Sequence, residues 1–339
     1  MRPLALAALC LVLAACEGDG RTPLVIYSPH GKEMLSAYEA AFEAANPTVD
    51  VRWLDMGSQN AYERIRQERA NPQASLWWGA PQTLFMEAAD DGLLLAFEPS
   101  WADALPEDAR DPEGRWYGTY LTPDGILYNT DALDAAEVPA DWDDLLDPAW
   151  QDRLLIRSPL ESGTMKTIWG AMILRQPTVE DGYRWLARLD ANTKGYAADP
   201  TQLYLRVARG EADLTLWNLP DTYLQAETYP FAFAPLASGI PVVVDGIAIP
   251  AGAPQPEIAR AFADFVMAPD ALIDQARRFH RIPARTDVPA DSLPGWMASG
   301  YTPLDLDWDR LAAESETWMQ VWDEQIKGRG AAYLAENPE

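Results

Sequence analysis

Residues 24–92 change hydrophobic period again and again, and this alternation leaves few folds open. Residues 24–27 form a short apolar run that stops at Ser28-Pro29-His30-Gly31. The apolar positions then become Met34/Leu35, Tyr38, Ala41/Phe42 and Ala45, which is helical spacing, and Asn46-Pro47 ends it. Val49, Val51 and Trp53 alternate with polar residues, as in a strand. Residues 59–70 read as a second helix stopped by Asn71-Pro72. Residues 75–78 read as a third strand, and residues 81–89 as a third helix that closes near Gly92. The order strand-helix-strand-helix-strand predicts an α/β fold whose parallel sheet is covered by helices.

The middle of the chain repeats this grammar. Residues 154–157 read as a strand, and residues 163–174 as a helix through Met165, Ile168/Trp169 and Met172/Ile173. Helices at 179–189 and 201–209 and a strand at 213–217 follow. Residues 125–129 lead out of the first region, and residues 242–249 (VVVDGIAI) lead back to a helix at 257–266. A final helix spans 308–327. The pattern divides the chain into lobe 1 (24–125 and 245–300), lobe 2 (126–244) and a C-terminal helical segment (301–339). Two α/β lobes joined by two extended segments make a hinge with a cleft between them. Ligands of open α/β sheets sit beyond the carboxyl ends of strands, so the loops of interest are 28–31, 57–60, 79–81, 161–164, 199–201 and 218–221.

The N-terminus is of another kind. Arg2 precedes LALAALCLVLAAC, a short apolar stretch ending in small residues, so residues 1–15 read as a signal peptide. Leu13-Ala14-Ala15-Cys16 resembles the bacterial lipobox, which implies cleavage before Cys16 and its lipidation, with residues 16–23 as a tether. Cys10 would be lost with the signal, so stability must come from packing rather than disulfides. No later stretch approaches the roughly 18 apolar residues a membrane span needs. The chain has 52 acidic and 26 basic residues; without Arg2 the balance is 52 against 25, a net charge of −27. Such a balance argues against nucleic acid, whose phosphates demand positive charge.

Several chemistries lack their residues. No serine is flanked by glycines in the nucleophile-elbow pattern, and no phosphate-binding or dinucleotide glycine fingerprint occurs. His30 and His280 are the only histidines, too few for a zinc site. Asp305, Asp307, Asp309 and Glu316 mimic a calcium loop, but Arg310 stands where that loop needs glycine, and an acidic helix start explains the same residues. No metal, cofactor or catalytic group is expected.

Anion capture has more behind it. Glu161-Ser162-Gly163-Thr164 follows a strand and opens a helix, whose first N–H groups are unpaired and carry partial positive charge. Ser28 and Ser58 occupy similar loops. Ordinary N-capping by serine or threonine is the competing reading. Trp77, Trp78, Trp116, Tyr117, Trp217 and Tyr223 lie near strand ends and either stack on a ligand or pack in the core. Trp77 and Trp78, adjacent on a strand, point to opposite faces.

The lipobox, YSPHGKEMLSAYEAAFEA, WLDMGSQ, SLWWGAP, ESGT and VVVDGIAI, in this order, resemble the bacterial extracellular solute-binding proteins of ABC importers. The resemblance runs from Leu24 to Gly330 and is strongest to the branch holding ferric-ion, thiamine, phosphonate and sugar-phosphate binders. It implies a two-lobed type II periplasmic-binding-protein fold. It also implies an extracytoplasmic location, delivery of the solute to a permease with its ATPase, a lipid anchor in the membrane and a monomer. By resemblance, Ser162, Gly163 and Thr164 hold a phosphate-like group and the turn Ser28 to Gly31 contributes to the cleft. Ferric-ion members place a histidine in that turn, one position from His30, but their acid and tyrosine pair have no counterpart at Gly79-Ala80-Pro81 or in WNLPDTY.

The resulting expectation is a receptor without catalysis for a small anionic or zwitterionic solute. Its contacts are Ser28, His30, Gly31, Ser58, Trp78, Ser162, Gly163, Thr164, Asn218 and Asp221. The alternatives are a ferric-iron or organic-cation (thiamine or polyamine) receptor and, in another class, a lipid-anchored enzyme.

Overall fold

The computed structural model describes residues 20–298 and 300–338, so the expected signal peptide and Cys16 lie outside the described residues. Strand β1 (Thr22–Ser28) starts inside the segment expected to be a tether. The Thr22 N–H donates to the Thr48 carbonyl at 2.8 Å, and Arg21 pairs with Glu43 at 2.8 Å and Asp50 at 3.1 Å. These bonds extend the strand backwards from its apolar run.

Helix α1 (Lys32–Ala45), β2 (Val49–Asp55), α2 (Ser58–Gln67), β3 (Leu76–Pro81) and α3 (Gln82–Asp90) follow in the order expected. β1 lies between β2 and β3 and is parallel to both. Its alternate side chains serve two cores. Leu24 and Ile26 pack with Met34, Leu35, Tyr38 and Phe42 of α1, while Tyr27 packs with Ala61, Tyr62 and Ile65 of α2. Burying a large apolar side chain contributes roughly 1.5–3 kcal/mol, which is why the helical stripes of α1 and α2 both face this sheet. Residues 79–81, expected as a loop, belong to β3. Asp245 pairs with Pro81 in the ladder, and the Gln82 side chain accepts the Val244 N–H.

After the short β4 (Leu94–Leu95) comes β5 (Tyr117–Asn129), 13 residues long, whose second half is the segment expected as a link. The chain then forms β6 (Leu154–Arg157), α4 (Gly163–Leu174), α5 (Val179–Asn192), β7 (Thr193–Ala197) and α6 (Pro200–Ala208). It continues with β8 (Leu214–Asn218), α7 (Leu219–Ala226), β9 (Phe231–Ala234) and β10 (Val242–Pro250). β5 pairs antiparallel with β10 along residues 117–123 and with β8 along residues 124–128. It therefore passes from one core to another. Tyr117 and Tyr120 pack among the residues around β1, whereas Ile126 and Leu127 pack with Leu154, Ile156, Trp169 and Leu214. The sheet runs β2-β1-β3-β10-β5-β8-β6-β7.

α8 (Pro256–Val266), α9 (Pro269–Phe279) and β11 (Ile282–Pro283) return to the first core. α10 (Trp308–Val321), a π-helical turn (Trp322–Ile326) and α11 (Gly330–Glu336) replace the single terminal helix expected at 308–327. This C-terminal segment joins the second core through Leu311, Trp318, Met319, Trp322 and Tyr333. Gly170 permits the approach, since a Cβ there would lie 3.0 Å from Leu311 Cγ. Among the described residues, no helix is long and apolar enough to cross a membrane.

Candidate functional site

Where the two cores face each other, a cleft of about 440 Å³ opens at the carboxyl ends of the strands. Strand-to-helix turns build it. The first turns of α1, α2, α4, α6 and α7 contribute Gly31, Lys32, Ser58, Gly163, Thr164, Thr201 and Asp221 to its lining. Glycines 31 and 57 precede α1 and α2 with no side-chain cap, so the first N–H groups of those helices keep their donor capacity. The other three ends are capped from within. Ser162 Oγ accepts the Met165 N–H at 3.3 Å, Asp199 accepts the Gln202 N–H at 2.9 Å, and Asn218 accepts the Asp221 N–H at 2.8 Å. Each of these helix N-termini directs partial positive charge into the cleft, whose lining also carries the acids Glu33, Asp55, Glu161, Asp221 and Asp245.

Two arginines add formal charge. Arg157, at the end of β6, donates through Nη2 to the Glu161 carbonyl at 2.9 Å and lies over the Trp217 ring at 5.9 Å. Burial lowers its pKa. Arg281 donates through Nη1 to Asp221 Oδ1 at 3.1 Å. Burial opposes its charge too, but Asp221 and Asp245 outweigh that and raise its pKa. The Nε atoms of both arginines are buried without a protein hydrogen-bond partner.

Opposite charge is also built in. Asp245 lines the cleft and accepts from Thr122 Oγ1 at 2.6 Å. Burial pushes its carboxyl up to about 6, while the Thr122 bond and Arg281 hold it down and Asp221 raises it. Burial also raises Asp55, against the Gly31 N–H. Asp124, opposite Asn218 in the β5–β8 ladder, is fully buried with neither carboxylate oxygen partnered. Burial and then Asp245 and Asp221 push it well above the ordinary carboxyl range.

His30 lines the cleft with a neutral imidazole, because burial and the nearby Arg281 both lower its pKa. Its ring stands edge-on to Trp78 at 4.9 Å and Tyr120 at 5.3 Å, and Nε2 has no protein partner. Gly79 makes room for it. A Cβ there would meet His30 Cε1 and Nε2 at 2.6 Å, and φ is +98°.

Of the residues expected from sequence, His30, Gly31, Ser58, Ser162, Gly163, Thr164, Asn218 and Asp221 line this one cleft. Ser28 and Trp78 do not, and for these two the expectation is corrected. Ser28 is fully buried beneath the turn, where its Oγ accepts the His30 N–H at 3.2 Å. Trp78 is fully buried against Tyr38 and Phe262, because its side of β3 faces α1 and α8. The wall tryptophan is Trp217, which meets Tyr204 edge-on at 5.6 Å. Sequence reasoning missed Arg157, Arg281, Thr122 and Asp245. A signal existed for two of them: Asp245 is a lone acid in an apolar strand, and Arg157 closes the apolar run of β6. Asp307 caps α10 by accepting the Arg310 N–H at 2.9 Å, so the calcium-like run is a helix start. Among the described residues, no group of three or more His, Cys, Asp and Glu is placed to hold a metal ion.

A family model for bacterial extracellular solute-binding proteins matches residues 80–314. A provisionally named ABC transporter periplasmic-binding protein of Sinorhizobium fredii, y4fP, is 26% identical over 332 residues, 95% of this chain and 92% of that one. A Salmonella typhimurium periplasmic protein, provisionally named for 2-aminoethylphosphonate binding, is 27% identical over 328 residues, 92% of this chain and 90% of that one. The periplasmic binding protein AfuA of Actinobacillus pleuropneumoniae, solved with fructose-6-phosphate, superposes with a TM-score of 0.79 at 23% identity. That match covers 91% of this chain and 99% of AfuA and shows a shared fold.

Proposed function

The chain belongs to the bacterial extracellular solute-binding protein family, and we propose that its solute is a small phosphonate- or sugar-phosphate-like anion or zwitterion, captured in this cleft and handed to an ABC permease. The observation that carries the reading is the meeting of five helix N-termini with Arg157 and Arg281 around one cleft. Phosphate-like oxygens meet the free N–H groups of Gly163 and Thr164 and the uncapped ends of α1 and α2. A guanidinium then completes the anion site. An ammonium or hydroxyl group on the same solute faces Asp245, Asp221 and Asn218. The net charge of −26 does not prevent this. Salt screens exposed charges beyond roughly 8 Å, whereas the N–H groups act at contact.

Residues 24–125 with 245–300, and residues 126–244, would act as the two lobes, with β5 and β10 between them. A solute touching both favours the closed arrangement, because only that state makes both sets of contacts. The protein would act outside the cytoplasm as a monomer without catalysis, held to a membrane by a lipid on Cys16. A bare ferric ion would meet two guanidinium groups and several positive helix ends, which disfavours the iron reading.

Isothermal titration of the purified protein against 2-aminoethylphosphonate, fructose-6-phosphate, thiamine and ferric citrate tests the reading. Saturable binding of the phosphonate or the sugar phosphate is expected. Binding confined to thiamine or iron would overturn it.

A further inference from the structure

One buried cation spans the seam between the two cores without lining the cleft. Lys166 lies on the first turn of α4, where its N–H bonds the Ser162 carbonyl at 2.9 Å. Its side chain is only 6% exposed, and Nζ stands 3.3 Å from Glu87 Oε1 and 3.6 Å from Glu316 Oε2. Glu87 belongs to α3, whose Leu84, Phe85 and Ala88 pack in a core around β3, whereas α4 packs in the core around β6. Glu316 lies on α10, which packs against both α3 and α4, and its side chain is 81% exposed, so its pairing with Lys166 adds little. Glu87 is the partner that matters.

A second contact crosses the seam on the same turn. A Cβ added to Gly163 would lie 2.6 Å from Pro81 Cγ, 2.9 Å from Pro81 Cδ and 3.7 Å from Ser58 Cβ. The N-terminus of α4 is thus seated directly on the end of β3 and the start of α2. Parting the lobes breaks both contacts at once. A charge left buried without its partner is strongly unfavourable, so removing either Lys166 or Glu87 disfavours the shut arrangement.

We propose that Lys166 is a positioning residue for solute capture: by pairing with Glu87 across the seam it holds the N-terminus of α4 against Pro81 and Ser58 and sets how closely the two lobes shut. The proposal rests on the cleft being the solute site, but its test does not need the solute. Spin labels at the exposed positions Gln67→Cys on α2 and Arg209→Cys after α6, with Cys10 and Cys16 replaced by serine, report the distance between lobes. Lys166→Met and Glu87→Gln should each lengthen that distance in solute-free protein. They should also weaken 2-aminoethylphosphonate binding at least tenfold, mainly through faster dissociation. Lys166→Arg should keep the wild-type distance, and the swap Glu87→Lys with Lys166→Glu should restore much of it. Unchanged distances in both single variants, or a swap no better than either, would overturn the proposal. If Lys166→Met does not fold, Glu87→Gln decides. If wild-type protein binds no phosphonate, the solute reading falls while the solute-free distances still judge Lys166.

Discussion

Arg281 and Asp221 form an ion pair across the cleft, with Nη1 3.1 Å from Oδ1. Arg281 directly precedes β11, which pairs with Leu121 and Tyr120 at the first-core end of β5, while Asp221 sits in the first turn of α7 beside the second core. The pair places a buried guanidinium beside the helix ends and leaves its Nε free of protein partners. A phosphate-like oxygen is the natural complement to that arrangement. Arg281→Met should weaken phosphonate or sugar-phosphate binding by tenfold to a hundredfold, since a charge-assisted hydrogen bond contributes about 1.5–3 kcal/mol. Titration calorimetry reads this directly, and a wild-type affinity would remove Arg281 from the site.

Ser162→Ala with Thr164→Ala should weaken binding at least tenfold. Part of that loss is local, because Ser162 Oγ also caps α4 through the Met165 N–H, and losing such a cap costs about 1 kcal/mol of stability. Thr164→Ala alone separates the two, since it removes a lining hydroxyl without touching the cap. Calorimetric affinity unchanged in the double variant would sink the anion site at α4.

Solute binding should respond to pH through Asp245, whose carboxyl sits at about 6 mainly because it is buried. If it receives the cationic end of a zwitterion, affinity for 2-aminoethylphosphonate should fall as pH drops from 7 to 5. Affinity for an amine-free phosphonate should fall less. Equal pH profiles for the two solutes would show that Asp245 does not meet the amine.

Asp124 makes a separate claim on stability. Its folded pKa is raised, so the folded state holds a proton that the unfolded chain releases near pH 4. The stability this contributes is fully present below the unfolded value and is lost as pH rises towards the folded one. Asp124→Asn keeps the shape without the titration. Its melting temperature should exceed that of wild type by about 2–4 °C at pH 8, on the order of 1 kcal/mol, and the gap should close towards pH 4. A gap independent of pH would mean that Asp124 is not the titrating group.

Gly79→Ala should displace the His30 ring, because the new Cβ would clash at 2.6 Å and φ is +98°. A loss of roughly 1–3 kcal/mol in urea unfolding is expected. Normal stability would show that the ring moves aside freely.

The elements β1 to α3 were legible because each has a clean period and a clear stop, as at Asn46-Pro47. The C-terminal segment was less so. Its helical period runs on through Trp322 and Ile326, and only packing against Trp169 and Tyr196 shows where α10 gives way to a π turn. The serine and glycine turns were found because strand-to-helix handovers have a local signature. Arg281 was not, because nothing local marks it as cleft-facing. The one local sign of Arg157, its place at the end of an apolar strand, does not show that an arginine 124 positions further on meets it at the same cleft.

The sequence by itself determined the alternating elements, the turns that open helices and hence the α/β class, since these depend on side-chain period and on the few residues that start and stop helices. Only the tertiary structure decided that both faces of β3 are covered, which puts Trp77 and Trp78 in the core, and that Trp217 of β8 lines the wall. It alone paired Arg281 with Asp221, Lys166 with Glu87 and Gly163 with Pro81. Those contacts join segments 60 to 82 residues apart, and their energies come from burial and charge that exist only once the two cores face each other.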